Sequence, residues 1–331
     1  MATVTVAGAG MAGLVAAARL RELGHRPRLL EKGTRAGGSM LLSSCVLWRH
    51  VEWEEFRREC PGGDECLQRL VWERLDDALA WLESLGAEPV WLDTENPLTT
   101  GRRYDPRALT ALLARDVELG TPVPRDAEPP LVLATGGFPG RLARERGLLL
   151  RANPWSEGDG LELALARGAR TTTGMDEFYG RVMPAPPARI REQDFVPLAQ
   201  LYGRAARIFD EQWTEITPPA VAWHENDLAR LVGPRAWYVV PESNDRIEAA
   251  RAAGGTVLER DGGTLAVHVA AAVTHTVGGI AVDEQARVVG AEGLWAAGVD
   301  AGGIAGGGYA SGLAQALVLG LAAAESVAAA V

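Results

Sequence analysis

Lysine is almost missing from this sequence. Of 331 residues with 33 basic side chains, Lys32 is the one lysine and arginine supplies the rest, a skew that follows base composition rather than chemistry. The basic residues are outnumbered by 43 acidic ones, which leaves a net charge of −10. With no basic run, nucleic-acid binding is set aside, because neutralising phosphates needs clustered Lys and Arg. Cysteine is scarce too. Cys45, Cys60 and Cys66 are too few for a disulfide scaffold, and an odd count leaves one unpaired. The spacing of Cys60 and Cys66 is not the CxxC of a zinc or redox site, so reduced thiols and no metal are expected. Met1 is followed by Thr3-Val4-Thr5-Val6 rather than a basic segment and an apolar run, so no signal peptide and a cytoplasmic location are expected. The apolar end, Leu313–Val331, is interrupted by Gln315, Glu325 and Ser326 and is rich in small residues. It reads as a helix packed inside a protein, not a membrane span.

What is present is an ordinary globular composition, 47% hydrophobic and 23% charged, which excludes wholesale disorder. The 39 glycines have no triplet period, so collagen is excluded. The length suits two domains, or one large domain with an insertion. The opening carries the strongest local signal. Thr3–Ala7 alternates like a buried strand, Gly8-Ala9-Gly10-Met11-Ala12-Gly13 follows, and Leu14–Leu23 reads as a helix closed by Gly24. Arg28-Leu29-Leu30-Glu31 is a second strand ending on a carboxylate. Gly8 permits the tight turn, Gly10 lets amides approach a pyrophosphate, and Gly13 lets the helix lie close to the strand. Glu31 is placed to accept from both hydroxyls of an adenosine ribose. Strand, glycine turn, helix and distant acid together indicate dinucleotide binding.

Two more glycine clusters recur at long range. Leu131–Thr135 is an apolar strand running into Gly136-Gly137-Phe138. Gly293–Gly298 is another, followed by Asp300 and the loop Gly302–Gly308. A Gly-rich loop running into a long helix supplies free amides and a positive dipole end, which suits the N1–C2=O edge of a reduced flavin.

With these blocks, the sequence resembles the FAD-binding flavoproteins of the fumarate reductase/succinate dehydrogenase superfamily, in its branch of 3-ketosteroid Δ1-dehydrogenase-like and tricarballylate-dehydrogenase-like proteins. The matching residues are Gly8–Gly13 with Glu31, Gly37-Gly38-Ser39, Ala134–Phe138, and Asn153-Pro154 with Gly158-Asp159-Gly160. They continue with Glu177–Gly180, Met183-Pro184, Thr274-His275-Thr276 with Gly278-Gly279, and Leu294–Gly298. The resemblance implies an α/β fold: a Rossmann-type, glutathione-reductase-like FAD domain with a small inserted α+β cap. It implies bound FAD, held non-covalently because no His follows Gly38. Cofactor contacts fall to Gly8, Gly10, Gly13, Glu31, Lys32, Gly37, Gly38, Ser39, Thr135, Gly136, Gly137, Asp159, Gly298, Asp300, Gly312 and Leu313. One departure stands out: the family's ribitol acid follows directly after Ala-Gly, whereas here Val299 sits there and Asp300 comes one later.

The chain then divides as residues 1–187, the first part of the FAD domain; 188–263, the cap; and 264–331, the second part. Within the first part, about 48–115 is expected as a helical insertion. Leu67, Leu70, Val71, Leu75, Ala78, Leu79 and Leu82 recur at helical spacing there, and Asp105-Pro106 opens a helix through Leu113. Glu118–Pro130 reads as a Pro-rich linker and Gly160–Gly168 as a short helix.

The reaction the resemblance implies is dehydrogenation of a carbonyl compound at its α,β carbons, or the reverse reduction of an enone. His275, in an intact His-Thr-x-Gly-Gly motif, is the expected substrate contact. Tyr309 stands where fumarate reductases carry a carboxylate-clamping Arg and ketosteroid dehydrogenases carry a Tyr. A neutral phenol suits a ketone better than a dicarboxylate. Arg207-Ile208-Phe209-Asp210-Glu211 is followed by no proton-donating Arg, and Tyr202 and Tyr238 are the candidate phenolic bases, with Tyr179 and Arg181 possible pocket residues. A small carbonyl substrate and an unidentified electron donor or acceptor are the expected partners. The alternatives are a fumarate-type dicarboxylate reductase, a flavin-binding protein without independent turnover, and an NAD-binding module.

Overall fold

The computed structural model describes residues 2–331, which fall into two compact units. The first takes in the chain up to Pro139, Asn153–Phe178 and His275–Val331; the second takes in Gly140–Ala152 and Tyr179–Thr274.

The first unit is organised by a five-stranded parallel sheet, in the order Leu294–Ala296, Leu131–Leu133, Thr3–Ala7, Arg26–Glu31, Val117–Leu119. Val4, Val6, Ala7, Leu29, Leu30 and Leu131–Leu133 are all buried, as expected where a parallel sheet is covered on both faces. The helix Met11–Glu22 begins directly after Gly10, three residues earlier than its apolar periodicity suggested, because Met11, Ala12 and Gly13 are themselves buried. Arg19 and Arg21 occupy its last turn, where cations complement the helix dipole.

The C-terminal helix Gly312–Ala330 is long and apolar enough to cross a bilayer, yet most of it is buried. It packs on the helices Met11–Glu22 and Glu65–Ser84. The three polar residues that interrupt it each have a partner in the protein, buried for Gln315 and Ser326 and half-buried for Glu325. Gln315 Nε2 donates to the carbonyls of Gly298 (2.8 Å) and Ala301 (2.7 Å). Glu325 accepts from Arg19 and Arg74, and Ser326 Oγ accepts from Trp295 Nε1 at 2.9 Å. A polar group facing lipid would have no such partner.

The 48–115 stretch holds the helices Trp53–Glu59, Glu65–Ser84 and Pro106–Leu113, the last capped by the Asp105 carboxylate. It is not purely helical. Val46–His50, Thr99–Tyr104 and Pro89–Trp91 form a three-stranded antiparallel sheet, and Val117–Leu119, which runs into the start of the expected linker Glu118–Pro130, is the edge of the parallel sheet. Strands of three to six residues leave too little periodicity to separate from loop. On Glu65–Ser84 the apolar stripe is as expected except at two positions: Leu70 is half-buried, and Gln68 is fully buried in its place.

The second unit is built on a seven-stranded sheet with Leu265–Thr276 as its long central strand. Ala236–Val240 and Val257–Glu259 pair with it antiparallel, and Leu149–Leu150 pairs in parallel. The unit is wider than the 188–263 stretch, because strand pairing keeps Tyr179–Pro184 and Leu265–Thr274 with it.

Close contact between the first and last helices is a stability requirement. The first carbon of any side chain at Gly320 would lie 2.8 Å from Ala12 O and 3.1 Å from Val15 Cγ1. Gly320→Leu should therefore lower the unfolding free energy by about 1–3 kcal/mol, read from the urea midpoint at unchanged m-value.

Candidate cofactor and active site

At the C-terminal edge of the parallel sheet, Gly8 follows Ala7 with φ +101, and a side chain there would strike the Ala134 carbonyl. A Cβ at Gly13 would sit 1.8 Å from Gly8 O, so helix and turn touch directly. Gly10 differs. A Cβ there would meet nothing nearer than Gly38 Cα at 4.0 Å, so protein packing does not require this glycine. Gly10 and Gly38 lie close together, and a Cβ at Gly38 would be 3.0 Å from Gly10 Cα. Gly37 donates its amide to Ala9 O, and the Ser39 hydroxyl accepts from the Asn153 amide at 3.0 Å. These residues leave the room a pyrophosphate needs.

Glu31 is buried at the end of its strand, where Oε2 accepts from the Ala9 amide (2.8 Å) and Oε1 from the Gly33 amide (2.7 Å). Each oxygen keeps a second lone pair, so the carboxylate is fixed in place and still able to accept two ribose hydroxyls. Lys32 Nζ is 2.8 Å from Asp159 Oδ2, joining the strand end to the start of the helix Asp159–Ala166. Trp155, which the motif reading passed over, lies against Gly33 so closely that a Cβ there would be 2.3 Å from its ring. Its only sequence signal is its place in the Asn153–Gly160 block.

Thr135, Gly136 and Gly137 form the second turn, with positive φ at both glycines. Asp300 is 1% exposed and fully engaged by that turn. Its carboxylate accepts from the Thr135 amide, the Thr135 hydroxyl (3.0 Å) and the Gly137 amide (3.0 Å). Burial raises the Asp300 carboxyl above its ordinary value, and the hydrogen bonds from Thr135 and Gly137 oppose that rise. The residue shifted by one from the family's ribitol position is thus a strut between two turns. Beside it, Thr276 Oγ1 is buried with no hydrogen-bond partner in the structure, facing the position a Gly137 Cβ would take.

Gly298 turns with φ +65 against Ala12 and Ala316. The helix Gly312–Ala330 is capped by Ser311 Oγ, which accepts from the Ala314 amide. Among the described residues no acceptor is paired with the amides of Gly312 and Leu313, both half-buried. The His275 ring lies against Gly312, with Cε1 3.3 Å from the position of a Cβ there. Tyr309, three residues before, has its ring 5.2 Å from that of Trp48. Around one helix start lie two donor amides and an imidazole, with Tyr309 three residues before it in the chain.

The loop before it is less free than its glycines suggest. The amides of Gly302, Gly303, Gly307 and Gly308 are spent on Ile280 O, Val277 O, Glu177 Oε2 and Ala305 O. Gln68 Nε2 donates to Ile304 O (2.7 Å) and Cys60 O (2.9 Å), which explains its burial. Cys60 and Cys45 are buried thiols, pushed up to about 12 chiefly by that burial, so neither is a thiolate at neutral pH.

In the second unit, Tyr202 is half-buried and carries φ 47. Tyr238 is 1% exposed, its hydroxyl has no hydrogen-bond partner, and burial, reinforced by Glu225, raises it far above the usual phenol range. A phenol so placed has no route to take up a proton from a ligand.

A cleft of about 780 Å³ lies at the opposite edge of the first unit's sheet, lined by Pro129, Pro130 and Gly293 where the strands begin. In open α/β sheets ligands bind beyond the carboxyl ends of the strands, so the glycine turns, not this cleft, mark the site.

Two predictions separate packing from ligand roles. Gly10→Leu should change stability by less than about 1 kcal/mol, yet weaken FAD uptake by roughly 100-fold in a flavin titration, because its side chain fills the cradle alone. Asp300→Asn removes a group whose folded value is raised. The stability that wild type draws from this titration is present below the unfolded value of 3.8 and is lost as pH rises through the folded one. Asp300→Asn should therefore gain on wild type as pH is raised from about 4 to 7, measured by denaturation at each pH.

Two domain models match the sequence: an NAD(P)-binding Rossmann-like domain over residues 6–43, and an FAD binding domain over 235–313. No curated protein sequence matches it. Among solved structures, a flavocytochrome c3 fumarate reductase in an open conformation superposes with a TM-score of 0.74 at 19% identity. That match covers 99% of this chain and 78% of the other. A 3-ketosteroid Δ1-dehydrogenase from Sterolibacterium denitrificans gives 0.72 at 14% identity, covering 99% of each chain. A 3-ketosteroid Δ4-(5α)-dehydrogenase from Rhodococcus jostii RHA1 gives 0.66 at 16%, covering 98% of this chain and 96% of that one. The chain therefore has the fold of these fumarate reductase and 3-ketosteroid dehydrogenase structures, and its residues 235–313 match the model of an FAD binding domain.

Proposed function

We propose that this protein is an FAD-dependent oxidoreductase acting on CH–CH groups, removing hydrogen from the α,β carbons of a carbonyl compound or adding it to an enone. The observation that carries this reading is the start of the helix Gly312–Ala330, where the unspent amides of Gly312 and Leu313 lie beside His275 and close in sequence to Tyr309. Bound FAD supplies hydride exchange with the substrate's β carbon. The chain's own work is to hold that cofactor and to stabilise charge on the carbonyl oxygen. The adenosine half falls to Gly8, Gly10, Gly13, Gly37, Gly38, Ser39, Glu31 and, through their ion pair, Lys32 and Asp159. The isoalloxazine half falls to Thr135, Gly136, Gly137, Gly298, Gly312 and Leu313. In this arrangement Asp300 acts through the Thr135–Gly137 turn.

In this reading Tyr309 and His275 donate to a carbonyl oxygen as negative charge develops there. Tyr309 is neutral and gives a single hydrogen bond, which favours a ketone over a carboxylate. Of the two candidate phenolic bases, Tyr202 is half-buried and is kept as the proposed one, whereas Tyr238 is buried too deeply to serve. The electron donor or acceptor is unidentified.

The test is direct. The purified protein should be yellow, and its flavin band should bleach or recover with members of a panel of enones and ketones. Turnover of fumarate with a reduced dye, and of no enone, would move the assignment to the dicarboxylate reductases. A flavin that answers to neither would mark a binding protein. Tyr309→Phe keeps the ring against Trp48 and removes one donor. It should retain FAD and lower kcat by about 10²–10³ in stopped-flow flavin reduction; an unchanged kcat would remove Tyr309 from the mechanism.

A further inference from the structure

We infer that the second unit carries an anion-binding subsite assembled on the ring of Tyr202, which takes a carboxylate or phosphate group.

Three guanidinium groups converge on that one ring. Arg246 Cζ lies 4.2 Å from its centroid, Arg204 Cζ 5.3 Å and Arg181 Cζ 5.8 Å. They come from three separate segments: the helix Asp245–Ala252, the turn Gly203–Ala205 and the strand Phe178–Pro184. In a chain of net charge −10, so close a gathering of one sign is not an average of the composition. Attraction to the ring face offsets only part of their mutual repulsion.

One carboxylate, Glu225, stands among these three guanidinium groups and pairs with Arg204 alone of the two exposed ones. Glu225 is buried and accepts from the amides of Gly203 (3.3 Å) and Arg204 (3.2 Å), while Arg204 Nε stands off at 3.8 Å. Arg181 is held in place by the carbonyls of Ala199 and His224. Among the described residues Arg246 pairs with no carboxylate, and it lies in the first turn of its helix, where the dipole opposes a cation. Tyr202 itself is held in the left-handed region, φ 47 and ψ 80, a conformation its surroundings must maintain. Gathered like charges, a cation at the wrong helix end and a strained backbone all run against the fold at one spot. Such local conflicts belong where a ligand resolves them.

Arg204 and Arg246 are exposed, so their planar forks are free to close on an anion with paired hydrogen bonds, the geometry that carboxylate and phosphate share. The ring of Tyr202 organises the cations.

Calorimetric titration of the purified full chain with inorganic phosphate and, separately, malonate tests this. At least one should bind at a single site, with affinity reduced about tenfold in Arg246→Gln and in Arg204→Gln. Arg167→Gln in the first unit should leave it unchanged. Binding of malonate alone identifies a carboxylate as the ligand group, and binding of phosphate alone a phosphate. Equal affinity in wild type and the Arg204→Gln/Arg246→Gln double variant, or binding of neither anion, overturns the subsite. A colourless protein that still binds the anion through these arginines would defeat the flavin reading alone. A yellow, enone-responsive protein that binds neither would defeat the subsite alone.

Discussion

Hydrogen bonding among three short parallel strands sets the geometry on which the rest of the first unit depends. Ala7, Leu133 and Ala296 are register partners in adjacent strands, so they lie in one row across the sheet. Each is followed within a few residues by a glycine turn: Gly8, Thr135–Gly137 and Gly298. A slip of one residue in either pairing would move one turn by more than 3 Å along the strand and turn its side chains to the other face. The ladder is continued past the strand ends, with the Ala134 amide on Ala7 O and the Ala297 amide on Leu133 O. Segments far apart in sequence thereby present their loop amides to one place.

Buried polar side chains then lock what the ladder has aligned. Asp300 ties the third turn to the second, Glu31 fixes the first turn to the end of its neighbouring strand, and Gln315 fastens the last helix to Gly298 and Ala301. Gln68 does the same for the loop at Ile304. Each of these groups is costly to bury and is satisfied by backbone atoms, so each fixes one arrangement of loops against the alternatives. Apolar packing alone would hold the helices on the sheet without specifying where the turns point.

Much of the nucleotide end was legible because it is local. Gly8, Gly10, Gly13 and Glu31 lie within one strand–helix–strand unit, and the turn chemistry of such a unit is written in adjacent residues. The terminal helix was legible for the same reason: small and apolar residues in one run, with Gln315, Glu325 and Ser326 as the only interruptions. The short strands Val46–His50, Pro89–Trp91 and Val117–Leu119 were not, since pairing partners rather than periodicity make them strands. Periodicity also left Gln68 out of the apolar stripe, because it carries no record of a carbonyl waiting across the interface. The Rossmann-like model over 6–43 shows the same limit from another direction, since that fingerprint describes the pyrophosphate turn and is shared by different dinucleotides.

The sequence by itself determined the strand–turn–helix opening, the acid that follows it, the glycine-rich returns of the chain and the interior character of its last helix. All of these rest on contacts between near neighbours or on the simple apolarity of a run. Only the tertiary structure decided that Asp300 faces the Thr135–Gly137 turn, 165 residues away in the chain, instead of standing free. It alone revealed which loop amides remain unspent and which arginines gather on Tyr202. The physical reason is common to all three: the worth of a charge or a hydrogen-bond donor is set by what the fold brings within about 3 Å of it, and residue order does not encode that distance.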